Sequence, residues 1–298
     1  MQAFDYERPL SVDAAVQLLA GEQARALAGG TDLVAQLKEG RRTARVVVDL
    51  KHIRELTGVS RRPDGGWSIG AATSVRELAA NIVLGAEHPG LIAAARLIGS
   101  LQIQSRASLG GNLCNGAPSA DAVPLLISLE AMAVIAGPAG RRTVLVETLP
   151  VGPGRTALTP GEVLVAVELP PRPLRSAARY LRFTPRREMD IAIAGAGVAL
   201  VIGGMGEIAS ARITLASVAP VPLRAAGAER RLAGERPSPS LLAEAARIAA
   251  GEAQPISDTR GSADYRRHLV EVLVRRALET CVAEAAGGGL GKAGGQAA

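Results

Sequence analysis

The sequence predicts an α+β protein in two parts, with a boundary near residue 174. Three observations carry this. Through the first half, short β-branched runs such as RVVVDL (Arg45 to Leu50) alternate with capped stretches of helical period. At Pro170 to Pro173 the run PPRP makes a stiff connection. Beyond it, paired strand-like segments lead into two amphipathic helices that close the chain. At 298 residues the chain has room for about two domains of roughly 100–200 residues each.

In order, Ser11 can cap an amphipathic helix through Leu19, and the first fifty residues read as helix, turn, helix, strand. The second helix follows the glycine pair in ALAGGTDLVAQLKEG. WSIGAAT reads as a strand, and Ser74-Val75-Arg76-Glu77 is a capping box opening the next helix. Pro89 suits the first turn of another helix, through about Ile98. The glycine-rich stretch ASLGGNLCNGAPSAD (Ala107 to Asp121) reads as a loop, and PLLISLEAMAVIAG as a helix running into a strand. VLVAVELP ends the first part in a strand. In the second part, IAIAGAGVALVI and ARITLASVAP alternate small and β-branched residues like paired strands, and SPSLLAEAARIAAGEA and DYRRHLVEVLVRRALETCVAEA are amphipathic helices. The division is therefore 1–174, with subdomains of about 1–56 and 57–174, then 175–286, then a tail at 287–298 that is disordered by composition. No internal repeat is evident.

Bulk properties exclude several functions. Net charge is +6, but only Lys38, Lys51 and Lys292 among the 34 basic residues are lysines, and the arginine pairs are scattered. Aromatics make up 2% of the chain, too few to interleave with basic clusters as base-stacking surfaces require, so no nucleic-acid partner is expected. Cys114 and Cys281 lack ligand-like spacing, and His52, His88 and His268 are isolated from them. No zinc site, disulfide framework or resident cluster is expected. MQAFDYERPL carries Asp5, Glu7 and Arg8 with no apolar stretch after it, which predicts no secretory signal and a cytoplasmic protein. The longest apolar run, Ile191 to Ile202, is short of the ~20 residues a membrane span needs, and reads as core.

Two glycine loops share a logic: Ala28-Gly29-Gly30-Thr31-Asp32 and Ser108-Leu109-Gly110-Gly111-Asn112. A Gly-Gly pair admits positive φ and can turn successive N–H groups toward one point, with no Cβ in the way. Such a neutral cradle suits a pyrophosphate; the same residues also make tight turns. A competing signal, Gly195-Ala196-Gly197-Val198-Ala199-Leu200, resembles the start of a dinucleotide fingerprint. It has leucine at the sixth position and no helix after it, so small residues in closely packed strands explain it better.

AGGTDL paired with SLGGNLCNGAPSAD, about 80 residues apart, resembles the FAD-binding medium subunits of molybdenum hydroxylases. This family includes carbon monoxide dehydrogenase medium subunits and the flavin part of xanthine dehydrogenase. GAATSVREL, QIQSRASLGGN, GEVLVAVELP and FTPRREMDIAIAGAGVAL extend the resemblance to about residue 285. It implies a two-part FAD-binding domain of the p-cresol methylhydroxylase/vanillyl-alcohol oxidase type, followed by a smaller α+β domain of the carbon monoxide dehydrogenase flavoprotein C-terminal type.

By the same resemblance, Ala26, Leu27, Ala28, Gly29, Gly30, Thr31, Asp32 and Leu33 wrap the FAD pyrophosphate through backbone N–H groups. Ser108, Leu109, Gly110, Gly111 and Asn112 complete the cradle. Asp121 matches an acid that contacts FAD, Leu164 and Ile98 match apolar neighbours of the cofactor, and Arg182 matches a basic one. Ile191 falls in a segment near the isoalloxazine ring, with Tyr180 and Phe183 the only local aromatics. Gln102-Ile103-Gln104-Ser105 departs from the QIRN frequent in relatives, and the cysteine-bearing insertion that holds a four-iron cluster in some of them is absent. No histidine lies in a glycine loop, so FAD is expected to be held non-covalently. Molybdopterin and 2Fe-2S clusters are expected only in a large and a small partner subunit, in a dimer of heterotrimers. The function implied is electron transfer through FAD. A stand-alone flavin oxidase of the same superfamily and a nicotinamide dehydrogenase built on GAGVAL are the rivals.

Overall fold

A computed structural model describes residues 2–186 and 188–287. Of the expected tail at 287–298, only Gly287 lies within the described residues. The N-terminal unit contains β1 (Asp5–Glu7), α1 (Val12–Leu19), β2 (Ala24–Leu27), α2 (Leu33–Lys38) and β3 (Val46–Asp49). Its strands form a parallel sheet in the order β1-β3-β2. Ser11 accepts from the Ala14 N–H to cap α1, as expected. Val12, Ala15, Val16 and Leu19 then share one buried stripe. That stripe packs on Val48 of β3 and on Val163, Val165 and Ala136 of the next sheet, so α1 is a layer common to both sheets.

The next segment runs β4 (Val59–Arg61), β5 (Trp67–Gly70), α3 (Val75–Ala80), α4 (Ile82–Glu87), α5 (Pro89–Ala95), α6 (Leu101–Gln104), α7 (Leu109–Cys114) and α8 (Val123–Ser128). It continues with β6 (Met132–Gly137), β7 (Gly140–Leu145), the hairpin β8 (Pro150–Gly152) and β9 (Arg155–Thr156), and β10 (Val163–Leu169). An antiparallel sheet in the order β4-β5-β10-β6-β7 results. The β10–β6 register slips between Leu164 and Ala166. This irregularity lets one strand serve two cores: Val163 and Val165 face α1, while Leu164, Val167 and Leu169 join the core beneath α3–α8.

After the crossing at residues 170–175 come β11 (Ser176–Phe183), β12 (Ala194–Ile202), β13 (Ile208–Ala216), β14 (Leu223–Arg224), α9 (Ala226–Leu232), α10 (Pro239–Glu252) and α11 (Ala263–Ala286). The four strands are antiparallel in chain order. Ala245, Ala246 and Ala249 of α10 and Leu273, Val274 and Ala277 of α11 contribute to the core on this sheet. The GAG glycines sit in β12, paired antiparallel on both sides, which removes the nicotinamide-fingerprint reading. Each has a packing reason. A Cβ on Gly195 would lie 2.5 Å from the Tyr180 hydroxyl, and one on Gly197 would lie 2.8 Å from the Pro124 carbonyl carbon of α8.

The two halves of the chain are latched where α5 and α8 meet this sheet. The Ser128 hydroxyl lies 3.0 Å from the Gly197 carbonyl oxygen and 2.9 Å from Thr214 Oγ1. Deeper still, Arg182 donates to Asp121 at 2.6 Å, and the Tyr180 hydroxyl donates to the same carboxylate at 3.2 Å. The Ser217 N–H, from a residue with φ of 63°, donates to the Pro118 carbonyl at 2.9 Å. Burial pushes the Asp121 carboxyl up to about 6, against the pull of the Arg182 charge and the hydrogen bonds from Arg182 and Tyr180.

The folded protein thus holds the Asp121 proton to a higher pH than the unfolded chain, and this carboxyl's contribution to stability falls as pH rises from about 4 through 6. Arg182→Met removes the counter-ion and extends that loss to higher pH. Thermal unfolding followed by circular dichroism should show a loss of roughly 3 kcal/mol at pH 8, the size typical of breaking a buried pair. At pH 5, where the carboxyl is protonated, the loss should be clearly smaller. Equal losses at both values would mean that Arg182 acts through packing alone.

Candidate functional site

A cleft of about 180 Å³ separates the N-terminal parallel sheet from the antiparallel one. Its walls are the two glycine-bearing segments, and its floor includes Leu50, Ala71, Ala72 and Leu164. The first wall starts where β2 ends. Gly30 turns the chain with φ of 77°, and Asp32 precedes α2 without making a side-chain cap. Five consecutive N–H groups, Gly29 to Leu33, therefore find no acceptor among the described residues. The carbonyl side is held separately. Lys51 donates through Nζ to the Ala28 carbonyl at 2.8 Å and to the Asp49 carboxylate, which also accepts from Tyr6. Burial works to raise the Asp49 carboxyl, but the hydrogen bonds from Lys51 and Tyr6 outweigh it and hold it below the usual range.

The second wall differs from the sequence expectation. Leu109–Cys114 is a helix, and Ser108 is its N-cap rather than part of an open loop. Ser108 Oγ accepts from Gly111 N–H at 3.0 Å, the Ser108 carbonyl accepts from Asn112 N–H at 3.0 Å, and Gly110 N–H donates to the Ala71 carbonyl at 3.1 Å. These three donors are already engaged within the chain. The reasons differ: the Ser108 hydroxyl caps the first turn at Gly111, helix pairing engages Asn112, and the neighbouring backbone at Ala71 takes Gly110.

The glycines separate by the space around them. A Cβ on Gly29 would press well inside contact distance of the Arg106 carbonyl, and one on Gly110 would stand 2.5 Å from the Ala71 carbonyl oxygen. Both are required for the walls to pack. Gly111 is different, since its Cβ would meet only Ser108 Oγ at 3.1 Å and Ala28 Cβ at 3.9 Å. Its open face lies on the cleft, opposite the free N–H groups of the first wall.

Ala26, Ala28 to Leu33, Ile98, Ser108, Gly110 to Asn112 and Leu164 all line this cleft. Leu27 packs on the small core of Leu37 and Val47, and Leu109 is buried in the larger core. Asp121 and Arg182 form the interdomain latch instead of lining the cleft. Ile191 is 48% exposed in the segment between β11 and β12. The Asp32 carboxyl is raised by desolvation, with Arg41 opposing. Residues missed in the sequence also line the cleft: Gln36 and Asn115, which meet across it at 3.1 Å, and Cys114. Asn115 and Cys114 stood in the SLGGNLCN run itself, and Gln36 lies one helical turn beyond the first loop. Burial pushes the Cys114 thiol up to about 12, so it is not a thiolate at neutral pH. Among the described residues no group of three or more His, Cys, Asp or Glu side chains is placed to hold a metal ion, and no helix is long and apolar enough to cross a membrane.

Residues 2–172 match the family described as the FAD binding domain in molybdopterin dehydrogenase, and residues 179–281 match the CO dehydrogenase flavoprotein C-terminal domain. The chain is 36% identical to a carbon monoxide dehydrogenase medium chain of Afipia carboxidovorans, over 95% of this chain and 98% of that one. It is 33% identical to a putative xanthine dehydrogenase FAD-binding subunit of Escherichia coli, over 95% and 97%. The solved carbon monoxide dehydrogenase of Hydrogenophaga pseudoflava superposes with a TM-score of 0.91 at 34% identity, covering 95% of this chain and 98% of the matched one. With both halves matched in order, and relatives aligned nearly end to end, the chain belongs to the family of FAD-binding medium subunits of the xanthine and carbon monoxide dehydrogenases.

Proposed function

We propose that this chain is the electron-transfer subunit of a molybdenum hydroxylase complex, carrying electrons from iron–sulfur clusters of a partner subunit through FAD to an external acceptor. The observation that supports it most is the run of five N–H groups, Gly29 to Leu33, with no acceptor among the described residues. Successive unbonded donors on residues that line the cleft, opposite a glycine with an open face, suit a diphosphate whose charge is spread over several oxygens. The residues fit the cofactor named by the family, and FAD when bound supplies the redox chemistry. The chain's own part is positioning. Gly29 to Leu33 hold the diphosphate, Ser108 to Asn112 form the opposite wall, and Leu164 and Ile98 offer apolar surface. Asp121 and Arg182 fix the second domain, and with it Ile191, relative to the cleft. In this reading 1–174 is the FAD-binding domain and 175–286 the C-terminal domain.

The partners follow from chemistry. An iron–sulfur cluster takes about four thiolates, and the whole chain has two cysteines, Cys114 and Cys281. Clusters and molybdopterin therefore belong to a small and a large partner subunit, in a dimer of heterotrimers. Medium-chain status in the carbon monoxide dehydrogenase relatives supports this assignment.

Three outcomes test the reading. Acid precipitation should leave the yellow colour in the supernatant, because Cys114 is protonated and no histidine lines the cleft; flavin in the pellet would contradict non-covalent binding. Gly111→Val should fold with a normal circular dichroism spectrum yet bind FAD at least ~100-fold more weakly, a loss of about 2.7 kcal/mol. Gly29→Val should instead lower the melting temperature as well, since its Cβ meets backbone. Full FAD occupancy in Gly111→Val would remove the second wall from the site. Finally, the flavin of the lone subunit should stay oxidised when aldehydes, purines or aromatic heterocycles are added anaerobically, and should bleach once both partner subunits are present. Reduction of the lone subunit within seconds would make a stand-alone oxidase the better account.

A further inference from the structure

A second pocket, of about 220 Å³, lies where the crossing at residues 170–173 passes between the two halves of the chain, and shares no lining residue with the glycine-walled cleft. Its apolar surface comes from both sides: Leu91 and Leu169, fully buried, from the first half, and Leu200, 1% exposed, from β12. An engineered cavity of about 150 Å³ is enough to hold benzene, so this one has room for a six-membered ring with a small substituent.

The polar groups around it are unevenly matched. Arg179 is paired with Glu284, and Arg212 with Glu130. Arg172 has no carboxylate within 4.0 Å among the described residues. It donates to the carbonyls of Glu87 and Ser176 at 2.7 and 2.8 Å, while the Glu87 carboxylate is taken by Arg61 and Trp67. Beside Arg172 is His88, only 7% exposed, whose Nε2 has no hydrogen-bond partner. Burial, with the Arg172 charge adding to it, brings the His88 ring down to about 4, so it is neutral at pH 7 and offers one N–H. A buried polar atom without a partner is unusual enough to need a reason.

We propose that this pocket binds a small planar apolar monocarboxylate, with Arg172 and His88 at its carboxylate and Leu91, Leu169 and Leu200 against its ring. Arg172 is exposed and keeps no carboxylate partner among the described residues, so an entering carboxylate competes only with water for its charge. The apolar floor disfavours phosphate, which would have to give up its hydration over hydrocarbon. Because the pocket walls come from both halves, an occupant bridges them and stabilises the folded chain by mass action.

The test is thermal unfolding of the full-length protein, FAD-saturated, with benzoate as the probe. Acetate supplies the charge without the ring, benzyl alcohol the ring without the charge, and ionic strength is matched throughout. Benzoate should raise the melting temperature saturably by several degrees, with neither control doing so and with the flavin absorption spectrum unchanged. Arg172→Gln should abolish the shift, His88→Phe should reduce it, and Arg172→Lys should retain part of it. No shift at about 10 mM benzoate, or an equal shift in Arg172→Gln, would overturn the proposal. A shift accompanied by a change in the flavin spectrum would place benzoate in the other cleft and equally overturn it. The measurement is independent of the proposed electron-transfer role, since the same titration can be read on flavin-free protein.

Discussion

The absence of a side chain at Gly29 sets the geometry of the rest of the site. The backbone there lies so close to Arg106 and Ala107 that any Cβ would overlap them. Gly110 repeats the constraint on the other wall, against Ala71. These two contacts bring a turn from a parallel sheet and a helix start from an antiparallel sheet to opposite sides of one cleft. The partly buried Lys51–Asp49–Tyr6 network then holds the carbonyl of Ala28. With that carbonyl fixed, the N–H groups that follow are left without an acceptor among the described residues. A donor array of this kind is preorganised, so a bound anion need not reorganise it.

The glycine pairs were legible in the sequence, but their division of labour was not. AGGTDL and SLGGN read alike because both juxtapose glycines with a hydroxyl. Folded, Ser108 caps its own helix and takes the Gly111 N–H, whereas Asp32 caps nothing. Which donors remain free depends on a side-chain rotamer and on the partner Ala71 from the turn after β5, and neither is written locally. Strands β1 and β2 were missed for a related reason. DYE and ARAL are three and four residues long and owe their conformation to pairing with β3, whose VVVD run was easily seen. By contrast α1, α3 and the closing helices were visible from caps and periodicity, because those signals are local.

The GAG stretch of β12 shows how glycine can mislead in the other direction. Its spacing resembles a nucleotide-binding turn, yet the glycines make room for the Tyr180 ring on one neighbour and for the backbone of α8 on another. That packing draws the C-terminal sheet onto the first half and buries the Asp121–Arg182 pair between them. The second half is therefore held in register with the cleft by a charged latch whose strength depends on pH. The segment carrying Ile191 springs from the same strand as Arg182, so the latch also fixes where that segment begins.

Hydrogen–deuterium exchange, resolved to single amides with and without FAD, tests the central claim most directly. The account predicts that Gly29 to Leu33 exchange quickly in the free protein and become protected when FAD binds. Gly110, Gly111 and Asn112, already bonded within the chain, should be protected in both states and change little. Protection gained mainly at Gly110 to Asn112, with Gly29 to Leu33 unaffected, would contradict it.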